Sequence, residues 1–300
     1  MISGKAGRRA LAAGAAVLVG ALGLAACGEK EDDSTPKSAP APTATVDSAL
    51  AAKVPDEIKA DGVLKIGVDS TYAPNEFLDT DGKTVTGWDV ELFDAVAAKL
   101  GLKTEWVTSK FDDIIPGVAT SGKYEVGVSS FTINPERLKQ ATMVSYFNAG
   151  TQWFAKAGST ITPDDACGKK IAVQKDTVQV TDVEKRSKAC TDAGKPAITI
   201  DQYQGQDQAT AAVVSGKEDA GLADSPIAAY AVKKASGLQL IGEIYDAAPY
   251  GYVVKKGSPF GQVLADAVKA LIADGTYTKA LQNWGVEAGG ITDPAVDPAS

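Results

Sequence analysis

The chain of 300 residues is 44% hydrophobic, which is enough to build the core of one large domain or of two small ones. It contains no histidine, so histidine general bases, Ser-His-Asp triads and histidine-ligated zinc sites are excluded. Its formal net charge of −8 opposes binding to nucleic acid.

The first 26 residues have the features of a removable export signal. A basic start with Lys5, Arg8 and Arg9 precedes an apolar run over residues 10–23, which is too short for an ordinary membrane-spanning helix. Residues 24–27, Leu-Ala-Ala-Cys, resemble the bacterial lipobox, in which the cysteine is lipidated and the chain is cleaved in front of it. We therefore expect a lipid anchor at Cys27. A plain secretory signal with a chance cysteine is the alternative, and the arginine pair leaves twin-arginine export open.

Residues 27–55 predict a disordered tether, because small, polar and charged residues dominate and large apolar residues are almost absent. Residues 287–300 predict a disordered tail for the same reason. With Cys27 assigned to lipid, Cys167 and Cys190 remain as a pair. In an oxidising compartment this pair predicts a disulfide, and two buried thiols are the alternative.

Between these ends, strands alternate with helices. A first series predicts strands over residues 63–68, 104–107 and 124–128, with helices over 89–100 and 112–121. A second series begins with a strand at 171–173 and a helix to about residue 193, followed by a strand at 197–203, a helix at 207–215 and a short strand at 221–222. Pro226 suits the first turn of a further helix. The pattern indicates two α/β units, each with a largely parallel sheet.

The remaining residues predict a strand over 238–241, an irregular stretch at 246–249, a strand over 250–254 and two closing helices. The pattern alone does not say to which of the two units these last elements belong.

Six segments in order along residues 63–284 resemble family 3 of the bacterial solute-binding proteins, the polar-amino-acid receptors of ABC importers. The most specific is Gly-Trp-Asp-Val-Glu-Leu at 87–92. The others are Tyr-Ala-Pro at 72–74, Phe-Asp-Asp-Ile-Ile-Pro at 111–116, Ser-Ser-Phe-Thr at 129–132 with Arg137, Ala-Gly-Leu-Ala-Asp at 220–224, and Asp-Gly-Thr-Tyr at 274–277.

The resemblance implies an α/β, two-lobed fold of the type II periplasmic-binding-protein kind, with a two-strand hinge and a ligand in the cleft. Lobe 1 is expected to contain residues 56–149 and 249–286, and lobe 2 residues 150–248. The crossovers are then expected near residues 147–151 and 246–249, which returns the closing helices to lobe 1.

Recognition of a zwitterion needs a fork of donors for the carboxylate and an anion for the ammonium. Arg137 supplies the fork, because a guanidinium engages both carboxylate oxygens in one plane. The resemblance implies that Thr132 and Thr177 help it. It also implies that Asp224 and the backbone carbonyl of Ser130 accept the ammonium.

Two of these assignments have structural alternatives. Taken alone, Arg137 is better explained as a solvated helix arginine. Asp224 alone is better explained as a helix cap, because serine and proline follow it. The matched segment at 129–132 favours the ligand role for Arg137 and also assigns Ser129 to the site. The place of Asp224 in the family pattern favours its ligand role over the helix cap.

By the same resemblance, Tyr72 and Phe111 are the aromatic walls around the ligand side chain, with core packing as the alternative. Asp69 and Gln174 match positions that touch the end of that side chain. A carboxylate and an amide favour donors on the ligand, which suits glutamine, asparagine, arginine or lysine better than a free acid.

The chain departs from the family pattern at two positions near the pocket. Asn75 stands where relatives often have an aromatic residue, which predicts a more polar pocket. Asp176 stands where relatives often have glycine. We expect this replacement to restrict the approach of the backbone to the ligand, and its charge to disfavour anionic ligands.

The sequence therefore predicts a monomeric substrate-binding lipoprotein of an amino-acid ABC importer. It is expected on the extracytoplasmic face of the cell membrane, with permease subunits as partners and without a cofactor or enzymatic activity. One alternative is an enzyme on this scaffold, similar to dehydratases that resemble these receptors. It would need a raised pKa at Asp69, Glu76 or Asp224. A sensory lipoprotein with the same pocket is another alternative.

Overall fold

A computed structural model describes residues 43–60 and 62–299. The predicted signal peptide at 1–26, the predicted lipidation site Cys27 and the first part of the predicted tether lie outside these residues. Within the described part of the chain, no helix combines the length and the apolar character needed to cross a membrane.

The helices of the described residues are, in chain order, α1 (Ser48–Lys53), α2 (Asp56–Lys59), α3 (Trp88–Lys99), α4 (Phe111–Ala119), α5 (Pro135–Gln140), α6 (Val178–Asp192), α7 (Gln206–Ser215), α8 (Ser225–Lys234), α9 (Phe260–Ala273) and α10 (Thr276–Trp284), with a 3₁₀ turn at Glu287–Gly289. The strands are β1 (Val63–Val68), β2 (Thr71–Tyr72), β3 (Glu76–Leu78), β4 (Val85–Thr86), β5 (Lys103–Thr108), β6 (Val126–Gly127), β7 (Ala141–Lys156), β8 (Lys170–Gln174), β9 (Thr199–Tyr203), β10 (Ala220–Asp224) and β11 (Leu238–Lys255).

Eight strands form one mixed sheet in the order β5-β1-β6-β11-β7-β10-β8-β9. β1, β5 and β6 are parallel and belong to lobe 1, whereas β8, β9 and β10 are parallel and belong to lobe 2. The long strands β7 and β11 run antiparallel through both lobes. The two-lobed α/β fold is confirmed. The structure adds that the two parallel parts belong to one continuous sheet.

The hinge is formed where β7 and β11 pass between the lobes. Their pairing changes register between Ile241 and Tyr245 and again between Tyr245 and Ala248. Asp246, in this stretch, has φ +49, a backbone conformation that few residues other than glycine adopt. The predicted crossovers near 147–151 and 246–249 fall in this region. The predicted strands at 238–241 and 250–254, however, are parts of the single strand β11.

The lobe 1 core depends on a tight turn before α3. Gly87 has φ +135, and a Cβ at this position would lie 2.0 Å from the backbone oxygen of Asn75. Only glycine fits so close an approach. The turn places Trp88 in the core, where its ring lies 4.4 Å from that of Phe147. The glycine of the segment at 87–92 therefore has a steric role.

The C-terminal end of the predicted tether is helical, which the sequence did not predict. Asp47 caps α1 by accepting hydrogen bonds from Ala49 N and Leu50 N at 3.0 and 3.1 Å. Leu50 and Val54, four residues apart, are buried in the lobe 1 core. The low average hydrophobicity of residues 27–55 concealed this local pattern of a cap followed by two apolar residues.

Residues 287–299 are also ordered, contrary to the predicted tail. Val296 forms a β-bridge with Val144, and Gly290 forms one with Phe147. The Asp297 carboxylate accepts a hydrogen bond from Met143 N at 2.7 Å. Hydrogen bonds to β7 thus hold this segment, and Ile291 and Val296 also pack against the lobe 1 core.

Cys167 and Cys190 form the predicted disulfide. It joins the loop before β8 to the last turns of α6 in lobe 2, across a sequence separation of 23 residues. Closing a loop of this length stabilises the folded chain by about 3 kcal/mol, mainly by restricting the unfolded one.

Candidate functional site

Asp224 lies at the end of β10, where its carboxylate takes three hydrogen bonds from both lobes. Oδ2 accepts from the hydroxyls of Tyr250 and Tyr72 at 2.7 and 2.9 Å, and Oδ1 accepts from Gln179 Nε2 at 2.7 Å. Asp224 occupies the N-cap position of α8, yet its side chain makes no capping bond. The carboxylate is therefore directed into the space between the lobes, and the alternative of a helix cap is wrong.

Arg137 lies in the first turns of α5, which begins with Pro135 after the cap residue Asn134. Its Nη1 donates to the carbonyl of Thr132 at 2.8 Å, and its Nη2 donates to the carbonyl of Asp176 at 3.2 Å. Arg137 is 8% exposed. A solvated helix arginine is therefore excluded, and the side chain connects the two lobes.

Aromatic rings hold the guanidinium in place. Its carbon lies 5.3 Å from the ring centroid of Phe111 and 5.4 Å from that of Phe131. The two rings stack with centroids 4.6 Å apart. Cation–π attraction to both rings fixes the orientation of the side chain. Phe111 is thus beside the predicted carboxylate-binding group and also packs against the core.

The electrostatics of the two charged groups are coupled. Burial lowers the pKa of Arg137 to about 10, and the charge of Asp224 opposes this shift. Arg137 therefore remains a cation at neutral pH. Burial raises the pKa of the Asp224 carboxyl above its usual value, against its hydrogen bonds and the facing Arg137. A buried cation and a buried anion thus face each other across the site.

Ser129 and Ser130 follow β6 and are both buried. The Ser130 hydroxyl donates to Glu76 Oε2 at 3.0 Å, and that of Ser129 donates to Oε1 at 3.4 Å. Ser130 has φ +51, which turns its backbone out of the extended conformation. The segment is therefore held by its hydroxyls, which leaves its backbone carbonyls available to a ligand.

Asp69 and Gln174 meet across the lobes. Asp69 Oδ1 accepts from the amide and hydroxyl of Thr71 at 3.1 and 2.7 Å, and Oδ2 accepts from Gln174 Nε2 at 2.8 Å. Gln174 Oε1 is buried and has no hydrogen-bond partner among the described residues. Burial raises the pKa of Asp69. The pair offers acceptor oxygens that suit a donor-rich group.

The loop before α6 keeps a glycine-like conformation without glycine. Asp176 has φ +60, and aspartate is among the few residues that adopt this conformation readily. The carbonyl of Asp176 accepts a hydrogen bond from Arg137 Nη2 at 3.2 Å, and the expected restriction of the approach to a ligand stays a prediction. Thr177 precedes α6 and donates its hydroxyl to the carbonyl of Gln174 at 2.7 Å.

Tyr72 packs in a core, as the alternative for it predicted, but its hydroxyl contact and the contacts of Asn75 were not indicated by the sequence. The Tyr72 ring is buried among apolar residues of lobe 2, and its hydroxyl binds Asp224. Asn75 is fully buried; it donates to Ser130 Oγ at 2.8 Å and accepts from Trp88 Nε1 at 2.6 Å. Asn75 thus supports the serine segment and does not make the pocket wall more polar.

Two further residues of the site were missed. Tyr250 on β11 and Gln179 in the first turn of α6 both donate to the Asp224 carboxylate. The only signal in the sequence was the position of Tyr250 at the expected second crossover. Within the described ranges, no group of three cysteine, aspartate or glutamate side chains is arranged to hold a metal ion.

The lobes also meet outside this cluster. Asp112, in the first turn of α4, accepts from Lys175 Nζ at 2.6 Å and from Gln204 Nε2 at 3.2 Å. The amide of Gln206 donates to Thr71 Oγ1 at 3.1 Å. These bonds join lobe 1 to lobe 2 at the rim of the cleft, so they stabilise the arrangement in which the lobes are together.

The sequence profile of the family described as bacterial extracellular solute-binding proteins, family 3, matches residues 64–287. Among curated proteins, the arginine-binding protein ArgT of Corynebacterium glutamicum is 34% identical over 286 residues, which cover 94% of this chain and 93% of ArgT.

Among solved structures, the fold is similar to an ancestral arginine-binding protein bound to arginine, with 33% identity, a TM-score of 0.69 and coverage of 74% of this chain and 98% of that one. A structure of an ancestral arginine-binding protein bound to glutamine matches with the same identity and TM-score, over 75% and 99% of the two chains. The ancestral amino acid-binding protein AncCDT-1, a precursor of cyclohexadienyl dehydratase, has 32% identity, a TM-score of 0.64 and coverage of 76% and 98%.

Proposed function

The chain belongs to the bacterial extracellular solute-binding proteins of family 3, and on that premise we propose that it is the amino-acid receptor of an ABC importer. The observation that carries this proposal is the buried pair of Arg137 and Asp224 between the lobes. A guanidinium and a carboxylate on opposite lobes complement the carboxylate and the ammonium of an α-amino acid. Ser130, Thr132 and Thr177 complete the proposed site through their backbone and hydroxyl groups.

The ligand we propose is a basic L-amino acid, arginine first, with a neutral amide such as glutamine second. Asp69 supplies a buried carboxylate and Gln174 a buried carbonyl oxygen that has no partner among the described residues. A guanidinium has five N–H donors for these acceptors, an amide has two, and a free acid repels the carboxylate. Relatives that bind arginine and glutamine are consistent with this order.

A thermal-shift screen tests the proposal. The protein is unfolded and refolded to remove bound solute, and the common amino acids are then compared. A ligand present at 100 times its dissociation constant should add about 2.7 kcal/mol to the free energy of unfolding. We expect arginine to give the largest shift and glutamate none. Absence of a shift with every amino acid would contradict the receptor function itself.

An enzyme on this scaffold is the second candidate, since the pKa values of Asp69, Glu76 and Asp224 are all raised. Burial is the first cause of each shift, and it acts equally in a binding protein. Asp224 also accepts three hydrogen bonds, which favours its role as a fixed anion. Incubation with amino acids or prephenate-like compounds, followed by chromatography, distinguishes the two: we expect no product.

The ion pair at the cleft rim should contribute to ligand retention. Replacing Lys175 with methionine removes its 2.6 Å bond to Asp112. Because both side chains are partly exposed, we expect only an about two- to fivefold weaker affinity, mostly through faster dissociation. Stopped-flow displacement measures this rate. Lys188→Met, which removes an exposed ion pair within α6, is the matched control and should change nothing. Equal rates for both variants would contradict a role of the rim.

We also propose that Cys27 carries the lipid that holds the receptor at the membrane. About 20 residues separate Cys27 from α1 at Ser48, the first helix of the described residues, which suits the predicted tether. A Cys27→Ser chain expressed in a bacterial host should leave the membrane fraction and lose incorporation of labelled fatty acid. Unchanged membrane retention of this variant would rule out the anchor.

A further inference from the structure

Glu76, on β3, is a fully buried carboxyl beneath the proposed site. Its two oxygens accept the hydroxyls of Ser130 and Ser129 at 3.0 and 3.4 Å. The charges that act on it most strongly are the carboxyls of Asp89 and Asp69, which carry the same sign. A buried glutamate that faces two acids and is bound only by hydroxyl groups is costly to ionise.

The groups around Glu76 come from every element packed against it. They are Asp69 after β1, Tyr72 on β2, Asp89 on α3, Tyr146 on β7, and Tyr250 and Tyr252 on β11. Burial, together with the charge of Asp89, raises the pKa of Glu76 well above its usual value, and burial raises the pKa of Asp89 to about 7. Each tyrosine has a raised pKa and is therefore neutral.

Serine hydroxyl groups connect Glu76 to Ser130 and to Asp69, the two residues that we propose to accept ligand cations. Ser130, which donates its hydroxyl to Glu76, offers its backbone carbonyl to the ammonium in the proposed function. Ser129 donates to the other oxygen, and its hydroxyl accepts the backbone amide of Asp69 at 3.0 Å. A cation bound at either residue would thus lie close to Glu76, where the low dielectric strengthens its field.

We propose that Glu76 is a positioning residue of the amino-acid site, which holds Ser129 and Ser130 in place and releases its proton to solvent when a basic amino acid binds. The carboxyl O–H bond breaks, the proton passes to the buffer, and the carboxylate that remains faces the added cation. This inference rests on the proposed function and extends it, because it makes binding dependent on pH.

The sign of the effect follows from linkage. A proton that leaves on binding makes binding tighter as pH rises, by at most about tenfold per pH unit for one proton. Arginine adds one net positive charge to the site and glutamine adds none. The release of protons should therefore be larger for arginine than for glutamine.

Calorimetry of the refolded protein with L-arginine counts these protons. Titrations at about pH 7 in phosphate and in Tris, which differ in ionisation enthalpy, should give a release of about 0.5–1 proton. Glu76→Gln should reduce the release to near zero and abolish the pH dependence. Glu218→Gln is the matched control, since Glu218 is also buried but lies in lobe 2 against Tyr203. It should release as many protons as the wild type.

The outcomes separate this inference from the function on which it rests. Arginine binding without proton release by the wild type overturns the inference and leaves the receptor function intact. An unchanged release by Glu76→Gln assigns the proton to another carboxyl and also overturns it. If that variant does not fold, a wild-type dissociation constant for arginine that is flat between about pH 6 and about pH 8 is decisive against it. Absence of any amino-acid binding rejects both.

Discussion

Replacing Arg137 with methionine should weaken binding of the amino acid by about 2–5 kcal/mol, the usual range for leaving a buried charge unpaired. The guanidinium is the only group of the proposed site that offers two parallel donors to a carboxylate. Without it, the ligand carboxylate would be buried without a cation. Asp224 would also lose the positive charge that lowers its pKa.

Isothermal calorimetry with the preferred ligand measures this loss. Methionine keeps the length and part of the volume of arginine, so the contacts with Phe111 and Phe131 are partly kept. Lys139→Met, on the same helix α5 but exposed and paired within that helix to Glu136, is the control and should bind as the wild type does. An affinity of the Arg137 variant within twofold of the control would refute the assignment of Arg137 to the ligand.

Arg137 and Asp224 could be predicted as site residues because each belongs to a short local pattern in the sequence. Arg137 follows a matched segment at a fixed spacing, and Asp224 ends a short apolar strand. The pattern could not decide between a ligand role and a structural one for Asp224. That choice depends on the direction of the side chain, and Tyr72 and Tyr250, which are 152 and 26 residues away, determine it through hydrogen bonds.

Residues that act only through distant contacts could not be found in this way. Gln179 reaches Asp224 from another element, and Asn75 connects Trp88 to Ser130. Nothing in the neighbouring sequence marks either amide as buried. The long strand β11 was divided for a similar reason: residues 246–249 look irregular alone, whereas pairing with β7 continues through this stretch despite the changes of register and the positive φ of Asp246.

Composition misled the prediction at both ends of the folded part. An average over residues 27–55 is polar, but the few apolar residues near its end lie on one helix face, and Asp47 caps that helix. Residues 290–297 contain glycine, proline and polar residues, yet they bond to the backbone of β7, and Ile291 and Val296 pack against the lobe 1 core. Average hydrophobicity measures how much surface a segment can bury, and it does not measure which partner the fold places beside it.

Replacing Asp224 with asparagine should have opposite effects on binding and on stability. Binding should weaken by about 2–5 kcal/mol, because the ligand ammonium loses its buried anion. The free energy of unfolding at neutral pH should rise by about 1 kcal/mol. The reason is that burial raises the pKa of this carboxyl, so keeping it ionised in the folded state is costly.

The difference in stability between Asp224→Asn and the wild type should depend on pH. A carboxyl whose pKa is higher in the folded than in the unfolded chain destabilises the fold as pH rises from the usual carboxyl range through its folded pKa. Any stability advantage of Asp224→Asn should therefore be larger at neutral pH than near pH 4, and it should disappear only below the unperturbed aspartate pKa of about 3.9, where the wild-type carboxyl becomes protonated in both states. Asparagine keeps the shape and can still accept from Gln179.

Urea unfolding at the two pH values and calorimetry at neutral pH measure both effects. Asp165→Asn, at an exposed aspartate of lobe 2, is the control for loss of one negative charge and should alter neither quantity. A variant that loses stability and affinity together would indicate that Asp224 mainly holds Tyr72, Tyr250 and Gln179 in place. A variant that binds normally would exclude it as the ammonium acceptor. Gain of stability with loss of binding is the result expected of a charge kept for a ligand.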